Sequence, residues 1–173
     1  MGRTSDVRLK CLYTNANSVV GKMNELRQRV DGQDIIGVVE TWATDNVTDA
    51  ELSIEGYTLY RQDRKETKGG GLIIYINKNI KSSLCTDLIN EEYKESLWCN
   101  VRTEVGDILV GLCYRSPAST SRNNDKLLDL FRAAAKQTRI KHILIFGDFN
   151  YPEINYSQQS VTANVNTAHA QFF

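Results

Sequence analysis

The chain has 173 residues, 21 basic and 21 acidic side chains and a formal net charge of zero. That length suits one domain, and the charge balance excludes the strongly basic, sequence-blind nucleic-acid coat proteins, whose affinity is electrostatic. With 41% hydrophobic and 24% charged residues there is ample material for a core, no apolar run reaches the roughly 18 residues of a membrane span, and residues 1–10 are polar and charged, unlike a secretory signal peptide.

Residues 7–13 (VRLKCLY) alternate and are rich in β-formers, which predicts a strand. Asn17 or Ser18 is placed to cap a helix running to Val30, with Val19, Met23, Leu26 and Val30 on its buried face. The nearly continuous apolar run 34–39 (DIIGVV) predicts a strand covered on both faces and leads directly into Glu40-Thr41-Trp42. Residues 57–61 predict another strand, 62–68 a charged turn, and Gly69-Gly70-Gly71 opens the strand 72–77. Residues 97–103 and 107–114 read as two strands joined by a tight turn over 104–107. A second helix is predicted over 124–137, with Leu127, Leu128, Phe131, Ala134 and Ala135 inward, then a fully buried strand over 142–146 (HILIF) ending at Gly147-Asp148. Residues 151–173 are polar and show no clear period.

This order predicts an α/β (α+β) fold of sheets packed face to face with helices outside, rather than a doubly wound parallel sheet. Cys11, Cys85, Cys99 and Cys113 form no C-x-x-C pair, and three lie in apolar runs, so reduced thiols in an intracellular protein are expected. The sequons at Asn46 and Asn155 are accordingly read as chance matches.

Acidic, amide and phenolic side chains recur where the apolar runs end: Asn15 and Asn17, then Glu40, then Tyr114 and Arg115, then Asp148 and Asn150. Strand ends on one sheet edge converge, and a carboxylate placed straight after an apolar run needs a compensating partner, for which a divalent cation is suited. Mg²⁺ takes hard oxygen ligands, commonly one or two carboxylates with water and substrate phosphate, so Glu40 with Asp148 fits a phosphate-handling site. Asn150 has both donors and an acceptor for a phosphate or an attacking water. Tyr114 can donate to a phosphate and Arg115 can add charge. Each of these residues alone also suits a turn, a helix cap or a solvated strand exit.

Taken in order, N-A-N at 15–17, V-V-E-T-W at 38–42, G-G-G-L-I-I-Y-I at 69–76, Y-R-S-P at 114–117 and G-D-F-N-Y-P-E-I at 147–154 resemble the endonuclease/exonuclease/phosphatase superfamily. The nearest likeness is to the endonuclease domain of non-LTR retrotransposons. The resemblance implies a four-layer sandwich of two β-sheets flanked by helices, and Mg²⁺- or Mn²⁺-dependent hydrolysis of phosphate esters. It implies a monomer acting on DNA, with no membrane partner and a reverse transcriptase domain downstream in the parent polyprotein. It would be nuclear if its target is chromosomal and cytoplasmic otherwise. Residue by residue, Glu40 resembles the metal-binding glutamate, and Asn17 stands near the metal where relatives often have Asp. Asn15 is similar to the asparagine that holds the site together, and Tyr114 to the tyrosine at the scissile phosphate. Asp148 resembles the aspartate that positions the nucleophilic water, and Asn150 its phosphate-binding partner.

The family also carries a late Ser-Asp-His run, which does not occur in these 173 residues; the two histidines, His142 and His169, lack that setting. The expectation is therefore an N-terminal segment over 1–6, a partial domain over 7–155 incomplete at its C-terminus, and a polar tail over 156–173, with weak or no activity from the chain alone. An abasic-site nuclease, a small-molecule or lipid phosphatase of the same superfamily, and a non-catalytic remnant or binding module are the rival readings.

Overall fold

The computed structural model describes residues 8–65, 69–89, 92–104, 106–137, 140–155, 157–161 and 172. The segment 1–6 and His169 therefore lie outside the described residues. Among the described residues there are ten strands, β1 (Cys11–Asn15), β2 (Ile35–Val39), β3 (Tyr57–Gln62), β4 (Leu72–Asn77), β5 (Lys81–Leu84), β6 (Ser96–Thr103), β7 (Gly106–Tyr114), β8 (His142–Asp148), β9 (Ile154–Asn155) and β10 (Ser160–Val161), with helices α1 (Met23–Arg29) after β1, α2 (Asp49–Leu52) after β2 and α3 (Ser121–Ala135) after β7.

Two four-stranded sheets result, one ordered β1-β2-β4-β3 and the other β5-β6-β7-β8. Within the first, β1 runs parallel to β2; within the second, β7 runs parallel to β8; the other neighbours in both sheets are antiparallel. The period-2 geometry of a strand divides each apolar run between two cores. On β4, Leu72, Ile74 and Ile76 point between the sheets, whereas Ile73 and Tyr75 point out beneath α1. On β7, Val110 and Leu112 point inward while Leu109 and Cys113 lie beneath α3. Both outer faces are thus covered, which is why these strands read as continuous apolar runs. The order of layers is helix, sheet, sheet, helix, in agreement with the expected four-layer sandwich.

Gly37 lets the sheets approach. A Cβ there would lie 2.1 Å from the Phe146 ring, so this aromatic side chain occupies the space a larger residue would need. Hydrophobic burial in close-packed layers of this kind is the main stabilising contribution, at about 25 cal/mol per Å² of apolar surface.

Several predicted elements shift. The first strand covers Cys11–Asn15 rather than 7–13, so Asn15 belongs to the strand itself. Asn17 and Ser18 cap nothing: both have positive φ (44° and 76°), and a 3₁₀ turn at Val20–Lys22 precedes α1. On α3, which starts at Ser121 with Thr120 as its N-cap, Asn124, Leu127, Leu130 and Ala134 are buried and Phe131 packs against the same core, whereas Ala135 is exposed. β8 is not fully buried, since it is the edge strand of its sheet: Phe146 and Ile145 pack inward and outward, but His142 and Ile143 are exposed.

Candidate functional site

The site arises where four strands end together. Parallel pairing places Asn15 beside Val39, and so next to Glu40, on one sheet; it places Tyr114 beside Asp148 on the other. With the sheets face to face, the two ends meet. The Asn15 side-chain amide donates to Asp148 Oδ2 at 3.2 Å, bridging the sandwich. The Tyr114 hydroxyl faces the Glu40 carboxylate across it, near enough to favour the carboxylate's charged form.

Glu40 leaves β2 with φ +55°, and Trp42 follows with φ +54°. This left-handed region is costly for side chains of this size and persists only where the surroundings fix it. Here the backbone N–H groups of Thr41 and Trp42 donate to the carbonyls of Gly71 (3.3 Å) and Gly70 (3.0 Å). In return the Gly70 N–H donates to Glu40 Oε2 at 2.9 Å, and the Trp42 indole N–H donates to the same oxygen at 2.6 Å. Gly70 itself has φ +67°, and a Cβ on it would lie 2.4 Å from Arg64 Nε.

Partial burial works against the Glu40 charge, but the hydrogen bonds from Tyr114, Gly70 and Trp42, with the Arg64 guanidinium, outweigh it and lower its pKa. The Tyr114 phenol is pushed up, first by burial, then by its bond to Glu40 and the charges of Glu40 and Asp148. Tyr13 is pushed up by burial and then by Asp148 and Glu40. Two neutral phenols therefore face two carboxylates. Arg64 donates to Glu95 Oε1 at 2.7 Å, and its guanidinium stands 5.9 Å from the centre of the Tyr114 ring.

Behind Asp148 the chain is latched. Arg115 is 5% exposed; its Nε donates to Asn124 Oδ1 at 2.7 Å and its Nη1 to the Asn150 carbonyl at 2.8 Å. The Asn150 side-chain amide donates back to the Arg115 carbonyl at 2.7 Å, and the Arg115 N–H donates to the Asp148 carbonyl at 2.7 Å. The guanidinium lies 4.1 Å from the centre of the Tyr151 ring.

Asn15, Glu40, Tyr114 and Asp148 are thus brought together as expected. Asn17 joins through its backbone N–H, which donates to Asn15 Oδ1 at 3.2 Å. Arg115 does not stand open to a ligand as the sequence suggested; it is packed into the protein and holds Asn150 in place. His142 opens β8, six residues from Asp148, or about 20 Å along an extended strand, and is outside the site. Trp42, Arg64, Glu95 and Tyr13 were missed as site residues. Trp42 and the glycine run carried a usable signal, a bulky residue two positions after an acid and three consecutive glycines. Arg64 sat within a stretch that reads only as a charged turn.

Among the described residues no group of three or more His, Cys, Asp or Glu side chains gathers. The donor set is two carboxylates, Glu40 and Asp148, the Asn15 amide oxygen being engaged by the Asn17 N–H. It suits a hard cation that keeps several waters, and Glu40, held ionised with one oxygen engaged, fits that use.

Residues 11–164 match the family described as endonuclease/exonuclease/phosphatase. No curated protein sequence matches the chain. Among solved structures, the fold is similar to the endonuclease domain of TRAS1, a telomere-specific non-LTR retrotransposon (TM-score 0.60, 12% identity, 83% of this chain and 59% of that one). It is similar to the 3′ phosphatase NExo from Neisseria bound to a product DNA hairpin (0.59, 17%, 84% and 59%). It is also similar to an AP endonuclease from Archaeoglobus fulgidus (0.57, 16%, 87% and 62%). The chain therefore spans about three fifths of the length of each. With most of its residues matching the family model, the four-layer fold shared with these structures, and the site at the joined strand ends, the chain belongs to the endonuclease/exonuclease/phosphatase family.

Proposed function

We propose that the chain is part of a Mg²⁺- or Mn²⁺-dependent DNA endonuclease of a retroelement, hydrolysing a phosphodiester at the cleft where β1, β2, β7 and β8 end. The observation that carries this reading is the pairing, in one cleft, of an ionised Glu40 with Asp148, the latter tied across the sandwich by Asn15.

Glu40 would hold the cation, with Asp148 and Asn17 near it. When bound, such an ion polarises a phosphoryl oxygen and stabilises charge on the departing oxygen. The remaining roles belong to side chains. The Asn15 amide occupies one oxygen of Asp148, so the other is left to orient and accept from a water molecule. Tyr114, kept protonated, would turn its one hydroxyl hydrogen from Glu40 to the phosphate. Asn150 has given one amide hydrogen to the Arg115 carbonyl, and its second would serve a phosphate oxygen. Arg115 sets that amide without touching substrate. The family's Ser-Asp-His run does not occur in these residues, so slow hydrolysis at most is expected from the 173-residue chain, because a cooperating catalytic set loses most of its rate with one member.

The Y-R-S-P and N-Y-P-E runs favour the retroelement branch, with a reverse transcriptase in the same polyprotein and a nuclear site of action. The likeness to a 3′ phosphatase and an AP endonuclease supports a second reading, repair of damaged DNA ends or abasic sites. The test is nicking of supercoiled plasmid in Mg²⁺ and in EDTA, with Asp148→Ala alongside, together with uptake of Mn²⁺ and DNA. Weak nicking that needs metal and is lost in the variant supports the proposal. A marked preference for duplex carrying an abasic site moves the assignment to repair. A folded chain that takes up neither Mn²⁺ nor DNA overturns both.

A further inference from the structure

Trp42 stands out because the fold accepts strain to place it. Glu40 and Trp42 are both left-handed (φ +55° and +54°), two non-glycine residues in three. That conformation is costly for side chains of this size. The curl bends the chain so that the indole reaches back to the carboxylate two residues before it, at 2.6 Å. The glycine run is shaped to the same contact. Gly69, at φ +91°, lies alongside this bond: a Cβ on it would be in van der Waals contact with Glu40 Oε2 (3.5 Å) and Trp42 Nε1 (3.7 Å). The Gly70 N–H, donating at 2.9 Å, completes a two-donor cradle around Oε2.

From this arrangement we infer that Trp42 is a positioning residue which closes one oxygen of Glu40, so that the carboxylate meets a divalent cation through its other oxygen alone. The inference rests on the metal-binding reading of Glu40 given above. Its chemical consequence is selectivity. One-oxygen binding suits a small octahedral cation that keeps its waters, such as Mg²⁺ or Mn²⁺; Ca²⁺ is larger, takes more ligands and gains from two-oxygen carboxylates. Outer partners that fix a ligand's orientation commonly contribute 10–100-fold in metal affinity. Trp42 itself need touch neither metal nor substrate.

The test uses the full chain and two readouts besides activity. The first is Mn²⁺ uptake followed by electron paramagnetic resonance, with Mg²⁺ and Ca²⁺ as competitors, for the native chain, Trp42→Phe and Glu40→Gln. The native chain is expected to bind one Mn²⁺ that Mg²⁺ displaces better than Ca²⁺, and Glu40→Gln to lose it. Trp42→Phe should weaken it about tenfold and shift the competition towards Ca²⁺, a change of ratio that loosened packing alone would not give. The second readout needs no variant. The chain has two tryptophans, and the other, Trp98, is 2% exposed on the opposite sheet beneath α3. Of the two indole N–H resonances, only that of Trp42 should move on adding Mg²⁺. Binding that depends on Glu40 but is indifferent to Trp42→Phe, or a Trp42 resonance unmoved by saturating Mg²⁺, overturns this inference and leaves the metal reading standing. No Mn²⁺ uptake, or uptake unaffected by Glu40→Gln, overturns both.

Discussion

Glu40 links the site to the stability of the fold. Its folded pKa lies below the ordinary value of 4.5 because Tyr114, Gly70, Trp42 and Arg64 favour the charged form over the cost of partial burial. A depressed carboxylate contributes stability above its unfolded pKa, and that contribution is lost as pH falls through the folded value. In EDTA, the urea midpoint of the native chain should therefore fall more steeply below pH 4.5 than that of Glu40→Gln; parallel curves would show that the four donors do not favour the charge. Gly147 makes a harder demand. At φ +149° a Cβ would stand 1.8 Å from the Cys113 carbonyl oxygen, so Gly147→Ala should cost about 3 kcal/mol or more, or prevent folding, as read by denaturant titration. Glu40 and Asp148 were legible at this scale because an acid placed directly after an apolar run is conspicuous. Arg115 was not: an arginine is expected outside, and the partners that bury it, Asn124, Asn150 and Tyr151, lie 9 to 36 positions along the chain.

At the scale of elements, α3 does more than cover a sheet. Thr120 accepts from the Asn123 N–H at 3.2 Å and so fixes the helix start, and one turn on, Asn124 receives Arg115. A helix predicted to begin at Asn124 would use that residue as an end; the observed start at Ser121 turns it inward as a latch. Thr120→Ala should cost about 1 kcal/mol, measured as a shift in urea midpoint. Arg115→Met should cost more, about 3 kcal/mol, because it leaves Asn124 buried without its partner. Hydrogen exchange should then rise over residues 148–151 more than over β6; uniform exchange would count against the latch. The strands β2, β4 and β7 were readable because burial on both faces leaves a continuous apolar run. The same signal misled at β8, where HILIF reads as wholly buried although only its C-terminal half is covered. β5 (Lys81–Leu84), polar and mostly exposed, gave no periodic signal to read.

For the molecule as a whole, the parallel pairs decide where the chemistry can be. Parallel neighbours end at the same edge, so β1 with β2, and β7 with β8, each deliver two chemistry-bearing residues to one place, and stacking the sheets joins the two places. Residue order could suggest that convergence, but the hydrogen bond from Asn15 to Asp148 spans 133 positions and depends on the sheets' mutual placement. The two sheets touch where the Phe146 ring lies over Gly37, so Gly37→Ala should cost about 1–3 kcal/mol by overpacking.

The placement of sulfur has a practical consequence. Cys11 is exposed on the edge strand β1, whereas Cys85, Cys99 and Cys113 are buried in the second sheet and its surroundings. Burial pushes the Cys99 thiol up to about 12 and that of Cys113 higher still, and the thiolate is the form that reacts. The chain thus has a built-in stopwatch. An aromatic disulfide reagent should consume one thiol at once and the others only as the second sheet opens, so the delay between the two phases times the opening of the scaffold that holds Tyr114 and Asp148.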